Sequence, residues 1–231
     1  FINCVRIVMY DIAFISYNEV EADYNWQQLK QKYPYAKRTH GIEGIHQAHI
    51  EAAKNACTRM FYIVDADAVI LNNFDFSYVP PEYELDCVHV WRSQNPINGL
   101  EYGYGGVKLF PRNETINMDI SKPDMTTSIS PKFKLMQDVS NITAFNVNEF
   151  STWRSAFREC AKLSSKIIDR QKEEETNERL RIWTTVGRDR PFGEYAIAGA
   201  IAGREFGLSS KSDLGLINNY KWLKEKYSAD T

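Results

Sequence analysis

Met60-Phe-Tyr-Ile-Val-Asp-Ala-Asp-Ala68 is the stretch on which the fold turns. Met60 to Val64 are apolar without alternation, the pattern of a central strand covered on both faces. Asp65 and Asp67 follow at once, so the strand delivers a pair of carboxylates to its carboxyl end. On the amino-terminal side, Ile45 to Cys57 reads as a helix. At 100° per residue Ile45, Ala48, Ala52, Ala53 and Ala56 share one arc, opposed by Gln47, Glu51, Lys54 and Asn55. The small residues suit close approach to a sheet. Further out, Tyr10 to Ile15 is an apolar run ended by Ser16-Tyr17-Asn18-Glu19. Tyr24 to Lys32 is a short amphipathic helix stopped before Pro34, and Ala36 to His40, then Gly41, is a second strand and turn.

Strand, helix, strand, helix, strand within this span predicts an α/β protein with a mainly parallel central sheet flanked by helices. Right-handed crossovers place all strand carboxyl ends at one edge, where open α/β sheets bind ligands. The loops after Ile15 and Val64 are therefore expected to meet.

Beyond residue 86 the pattern changes. Cys87 to Trp91 and Gly106 to Phe110 read as strands joined by a loop rich in Asn, Gly and Tyr. Residues 116–140 read as irregular. Phe150 to Arg170 reads as a long helix running into the solvated cluster Lys172 to Glu175, and Arg181 to Thr185 as strand. Pro191 to Phe206 is a last strong helix, whose Gly199, with Gly203 and Gly207, implies close backbone packing. A final helix is expected around Asn219 to Tyr227. No internal repeat and no linker demands independent domains, so residues 1–231 are expected to form one domain.

The 231 residues are 43% hydrophobic and 25% charged, ordinary for a globular protein. No apolar run approaches a membrane span. Residues 1–8 have no secretory character; Met9 is a candidate natural start, with 1–8 an upstream extension. The net charge of −2 lacks the basic excess of a nucleic-acid coat. Cys4, Cys57, Cys87 and Cys160 have no zinc or redox spacing, which points to free thiols in a reducing compartment. The sequons at Asn113 and Asn141 are accidental on that reading.

Asp65-Ala66-Asp67 is the sharpest chemical signal. Two carboxylates at a strand end can grip one Mn2+ or Mg2+, which prefers oxygen ligands at about 2.1 Å and shares phosphates in its shell. Such a cation stabilises a departing nucleoside diphosphate. As a bare string the motif is common, and a turn with capping Asp residues is the plain alternative. A haloacid-dehalogenase-type phosphatase uses the same string near its first strand, followed by a small residue and Thr; here Val69 and Ile70 follow on a later strand. Ser16, Tyr17, Asn18 and Glu19 suit a base or ribose, or form a polar turn. Arg38 is placed to approach a donor, though a surface Arg is its default. His46 is open; His49 and His89 read as structural. Trp91, Arg92 and Asn95, with Gly105 and Gly106, suit a stacking and hydrogen-bonding acceptor pocket or a turn-rich hairpin. Glu194, in the first turn of its helix, is favoured there by the helix dipole; it is the candidate general base, although an ordinary helix-start Glu is the favoured reading. Lys162, Lys166, Arg170, Arg188 and Arg190 could hold phosphates, although scattered surface charge is the favoured reading for most of them.

Seven segments together resemble a glycosyltransferase family of T4-like and related tailed phages: YDIAFISYNE (10–19), YAKRTHG (35–41), GIHQAHIEAAK (44–54), MFYIVDADA (60–68), VHVWRSQNPINGLEYGYGGVKL (88–109), KPDMTTSIS (122–130) and FGEYAIAGA (192–200). The resemblance implies a single GT-A-like, Rossmann-like domain. Residues 10–80 would form its nucleotide-sugar half and residues 86–231 its acceptor half. It implies that Asp67 is the direct ligand of Mn2+ or Mg2+, and that Asp65 touches ribose or metal-bound water. It also implies transfer of a sugar, arabinose in some members, to 5-hydroxymethylcytosine of phage DNA in the cytoplasm of the infected host. Many GT-A enzymes add a late His to the metal shell; none occurs after His89. A glycan or protein acceptor, or a catalytically silent nucleotide-sugar-binding protein, remain the alternatives.

Overall fold

The computed structural model describes residues 9–103, 105–167, 172–209, 211 and 213–231. The expectations for residues 1–8, Cys4, Tyr104 and Arg170 fall outside them. The chain forms two compact units, each built from three segments. The first comprises Phe1–Ser93, Gly103–Met118 and Ile129–Asn141, the second Gln94–Tyr102, Asp119–Ser128 and Ile142–Thr231.

The first unit begins with β1 (Asp11–Ser16), α1 (Ala22–Lys32), β2 (Lys37–His40), α2 (Ile45–Asn55) and β3 (Met60–Asp65). These are the expected elements, within a few residues at their ends. β1 pairs in parallel with β2 and with β3. Met60 to Val64 are fully buried, because the two faces of β3 pack differently. Met60, Tyr62 and Val64 join Ile12, Phe14, Trp91 and Leu109 in one core cluster. Neighbouring side chains point to the opposite face. On α2, Ala48, Ala52 and Ala53 are buried, as the helical arc demands, and the His49 ring packs tilted against Phe110, with centroids 5.9 Å apart.

The sheet is mixed rather than mainly parallel. β4 (Ala68–Ile70), β5 (Val88–Gln94), β7 (Val107–Pro111) and β8 (Phe133–Thr143) extend it in the order β2-β1-β3-β7-β5-β8-β4. β7 runs antiparallel to β3, Val64 opposite Val107, and antiparallel to β5. Only the Ala66-Asp67 turn separates β3 from β4, which lies four places away in that order. The sheet must therefore curl back on itself. Residues 116–140 are more regular than expected, holding the short helix α4 (Met125–Ile129) and most of β8, while α3 (Arg112–Ile116) precedes them.

In the second unit β6 (Glu101–Tyr102) is a two-residue strand. Four helices follow: α5 (Glu149–Ser164), α6 (Glu173–Thr185), α7 (Gly193–Leu208) and α8 (Tyr220–Asp230). Asn148 caps α5 by accepting from Ser151 N at 2.8 Å, as a short polar N-cap side chain does. Arg181 to Thr185 belong to α6, not to a strand; Leu180 and Trp183, one turn apart, are both buried, and that burial overrides the local β-propensity. Gly199, Gly203 and Gly207 lie against α5, where a Cβ would collide with backbone of Trp153, Phe157 and Ala161. Among the described residues no helix is long and apolar enough to cross a membrane. Cys57, Cys87 and Cys160 are free thiols.

Candidate functional site at the carboxyl edge of the parallel strands

The strand register decides what stands together. Ile15 is opposite Asp65 and Ser16 opposite His40, so the ends of β1, β2 and β3 form one rim. There the Ser16 hydroxyl lies 2.9 Å from His40 Nδ1, and Arg38 Nε donates to Ser16 Oγ at 2.8 Å. Arg38 can only donate, and its Nη2 approaches the same His40 nitrogen at 3.5 Å. That nitrogen is therefore the acceptor, and Ser16 donates to it. Arg38 also pairs with exposed Asp23 at 2.7 Å. Tyr17 and Asn18 are exposed, and the Tyr17 N–H donates to Glu19 Oε2 at 2.7 Å, a local bond within the loop.

The Asp65-Ala66-Asp67 turn is held from two sides. Buried Asn25, on α1, donates its amide to Ala66 O at 2.8 Å, and Asp65 N–H donates to Gly106 O at 3.0 Å. Both Asp65 carboxylate oxygens accept from Lys108 Nζ at 2.8 Å. Lys108 stands on β7, and its side chain is 8% exposed against 34% for Asp65. Gly105 has φ +95°, and a Cβ there would come within 3.0 Å of Lys108 Cε. A Cβ at Gly106 would press on the Asn141 amide, which is buried and accepts from Ser93 and Ser140. Gly105 and Gly106 thus make room for the neighbours of the rim. His46 lies in the first turn of α2. Below it His49 Nδ1 donates to Ile45 O at 2.7 Å, and burial, with the Lys108 charge second, pushes the His49 imidazole down to about 4. His49 is a neutral core residue, as expected. His89 is one too: it is fully buried at 3.2 Å from Glu84.

Other candidates have structural work. Trp91 is 2% exposed and packs edge-on against Phe74 and Tyr78, so its ring is not a stacking platform. Arg92 donates to Gln137 Oε1 at 2.9 Å. Asn95 is buried and belongs to the second unit, where its side chain accepts from Ile97 N and Asn98 N. Glu194 is exposed in the first turn of α7, also in the second unit. Lys162 pairs with Asp124 at 3.6 Å and Lys166 with Glu173 at 3.2 Å; Arg188 and Arg190 are exposed.

Sequence reasoning missed Asn25, His40, Asn141 and Lys108. The one signal for Lys108 was a lone charge inside Val107-Lys-Leu-Phe110, since a buried ammonium needs a carboxylate. Among the described residues no group of three or more His, Cys, Asp or Glu could hold a metal ion. A cation at the turn would thus draw on the two aspartates and on oxygens of a bound ligand.

No family model matches the chain, and no curated protein matches it. Among solved structures, it aligns with the crystal structure of HddC from Yersinia pseudotuberculosis over 57% of its own length and 92% of that chain. The identity is 14% and the TM-score 0.36, a similarity too slight to assign a family or an activity.

Proposed function

We propose that the protein is a glycosyltransferase whose nucleoside diphosphate sugar sits at the carboxyl edge of β1, β2 and β3. The register that sets Asp65 beside the β1 end carries this reading. It gathers on one rim a loop suited to ribose or base (Ser16 to Glu19), two cationic or imidazole groups (Arg38 and His40) and the Asp65-Ala66-Asp67 turn. Ligands of open α/β sheets bind at such an edge.

Asp67, with phosphate and water oxygens, would hold Mn2+ or Mg2+, and Asp65 would contribute only once freed from Lys108. Such a cation would supply positive charge to a departing diphosphate. Asn25 and the Gly106 carbonyl keep the turn in place, and Arg38 offers a second positive charge to the donor.

The acceptor rests on the resemblance alone: 5-hydroxymethylcytosine in phage DNA, in the host cytoplasm. A base in duplex DNA would have to be flipped out to be reached. The net charge of −2 favours the second reading, a glycan or protein acceptor, over an extended DNA surface.

The test is a panel of nucleotide-sugars with Mn2+, scored by thermal shift, because only a bound ligand raises the melting point by mass action. One member should stabilise the protein, and Asp67→Ala should abolish that shift while the far-ultraviolet spectrum is unchanged. No shift with any donor would overturn the reading. Mass spectrometry of nucleosides from incubated hydroxymethylated DNA then decides the acceptor.

A further inference from the structure

We propose that Lys108 is a built-in counter-ion that occupies the Asp65 carboxylate in the ligand-free protein and competes with a divalent cation for it. This rests on the donor site proposed above and says how that site is guarded.

The geometry is bidentate: Nζ lies 2.8 Å from Oδ1 and from Oδ2. The ammonium therefore engages both oxygens that a cation would need from Asp65. Lys108 cannot leave cheaply. It is buried, paired opposite Ile63 in the β3–β7 ladder, and its stem passes Gly105, where even a Cβ would stand 3.0 Å from Cε. A buried ammonium stays charged only beside an anion.

An ammonium and a divalent cation on one carboxylate repel each other across a few ångströms. One excludes the other unless a further anion arrives. A diphosphate supplies that anion. Its oxygens can take Lys108 as Asp65 passes to the metal, so that one ion pair is exchanged for two. The cation alone then binds weakly, and nucleotide and cation bind together.

The experiment is titration with Mn2+ alone, followed by the paramagnetic signal of the free ion, on the full chain. Lys108→Met removes the competitor and should bind Mn2+ at least about ten-fold tighter than the unaltered protein. Adding Asp67→Asn should remove that gain, which places the ion on the turn. If Lys108→Met does not fold, Lys108→Gln keeps a hydrogen bond to Asp65 without the charge and should show the same gain. Equal Mn2+ affinity in the unaltered protein and the Lys108 variant overturns the competition and leaves the metal reading standing. No Mn2+ binding in either protein, with or without UDP, removes both.

Discussion

Replacing Gly203 by Ala sets two effects of opposite sign against each other. In a helix interior Ala is favoured over Gly by about 1 kcal/mol, so on propensity alone Gly203→Ala should stabilise α7. The packing opposes this. A Cβ at Gly203 would lie 2.8 Å from both the carbonyl carbon and the Cα of Phe157, with the carbonyl oxygen closer still. Carbon atoms rest about 3.5–4.0 Å apart, so α7 would have to withdraw from α5 by roughly 1 Å. The obstacle is backbone, which cannot rotate aside as a side chain can. Withdrawal also loosens buried Trp153, Phe157, Ala161 and Ala200. Overpacking of a close-packed core costs about 1–3 kcal/mol, sometimes more. The upper end applies here, leaving a net loss of about 2 kcal/mol. Urea unfolding followed by circular dichroism reads it as a lower midpoint at constant slope. Gly99→Ala, where a Cβ meets nothing within 4 Å but φ is +73°, is the control for backbone strain alone. A Gly203→Ala protein as stable as the parent would refute the close-contact argument.

Three further outcomes follow from the geometry. His49 is held neutral in the folded state, its pKa lowered from 6.5 to about 4. The unfolded chain takes up a proton below pH 6.5 and the folded one does not. Stability is therefore complete above pH 6.5 and falls by about 3 kcal/mol as pH drops towards 4. Urea midpoints measured across that window should fall less steeply in His49→Gln; identical slopes would contradict the burial argument. Trp91→Ala should cost about 3–5 kcal/mol of unfolding free energy as a core truncation. Trp91→Phe, by contrast, should leave nucleotide-sugar binding, read by calorimetry, unchanged. Asn25→Ala orphans the Ala66 carbonyl and should cost about 1–2 kcal/mol. It should also weaken nucleotide binding through the loosened turn, so full binding in that variant would detach Asn25 from the site.

What was legible in the chain was local. The unbroken apolar run Met60 to Val64, the alanine arc of α2 and the four-residue spacing of Gly199, Gly203 and Gly207 each report a face that must pack closely; the first two are buried as read, and the three glycines lie against α5. A carboxylate pair directly after a strand likewise announces itself within three residues. Strand direction is not written in that way. Val107 to Pro111 would read the same in either sense, and its antiparallel seat beside β3 comes from how the curled sheet closes. Arg181 to Thr185 looked extended because Ile, Trp and Thr favour strands, and only packing through Leu180 and Trp183 made them helical.

The sequence by itself determined the run of elements from β1 to β3 and the carboxylates at the end of β3, because periodicity and turn chemistry act over a few residues. Tertiary structure alone decided that Trp91 is core and that Lys108 holds Asp65. Lys108 and Asp65 are 43 positions apart, and a pairing at that separation depends on which strands become neighbours. Hydrophobic closure of the whole sheet settles that, and no local pattern carries it.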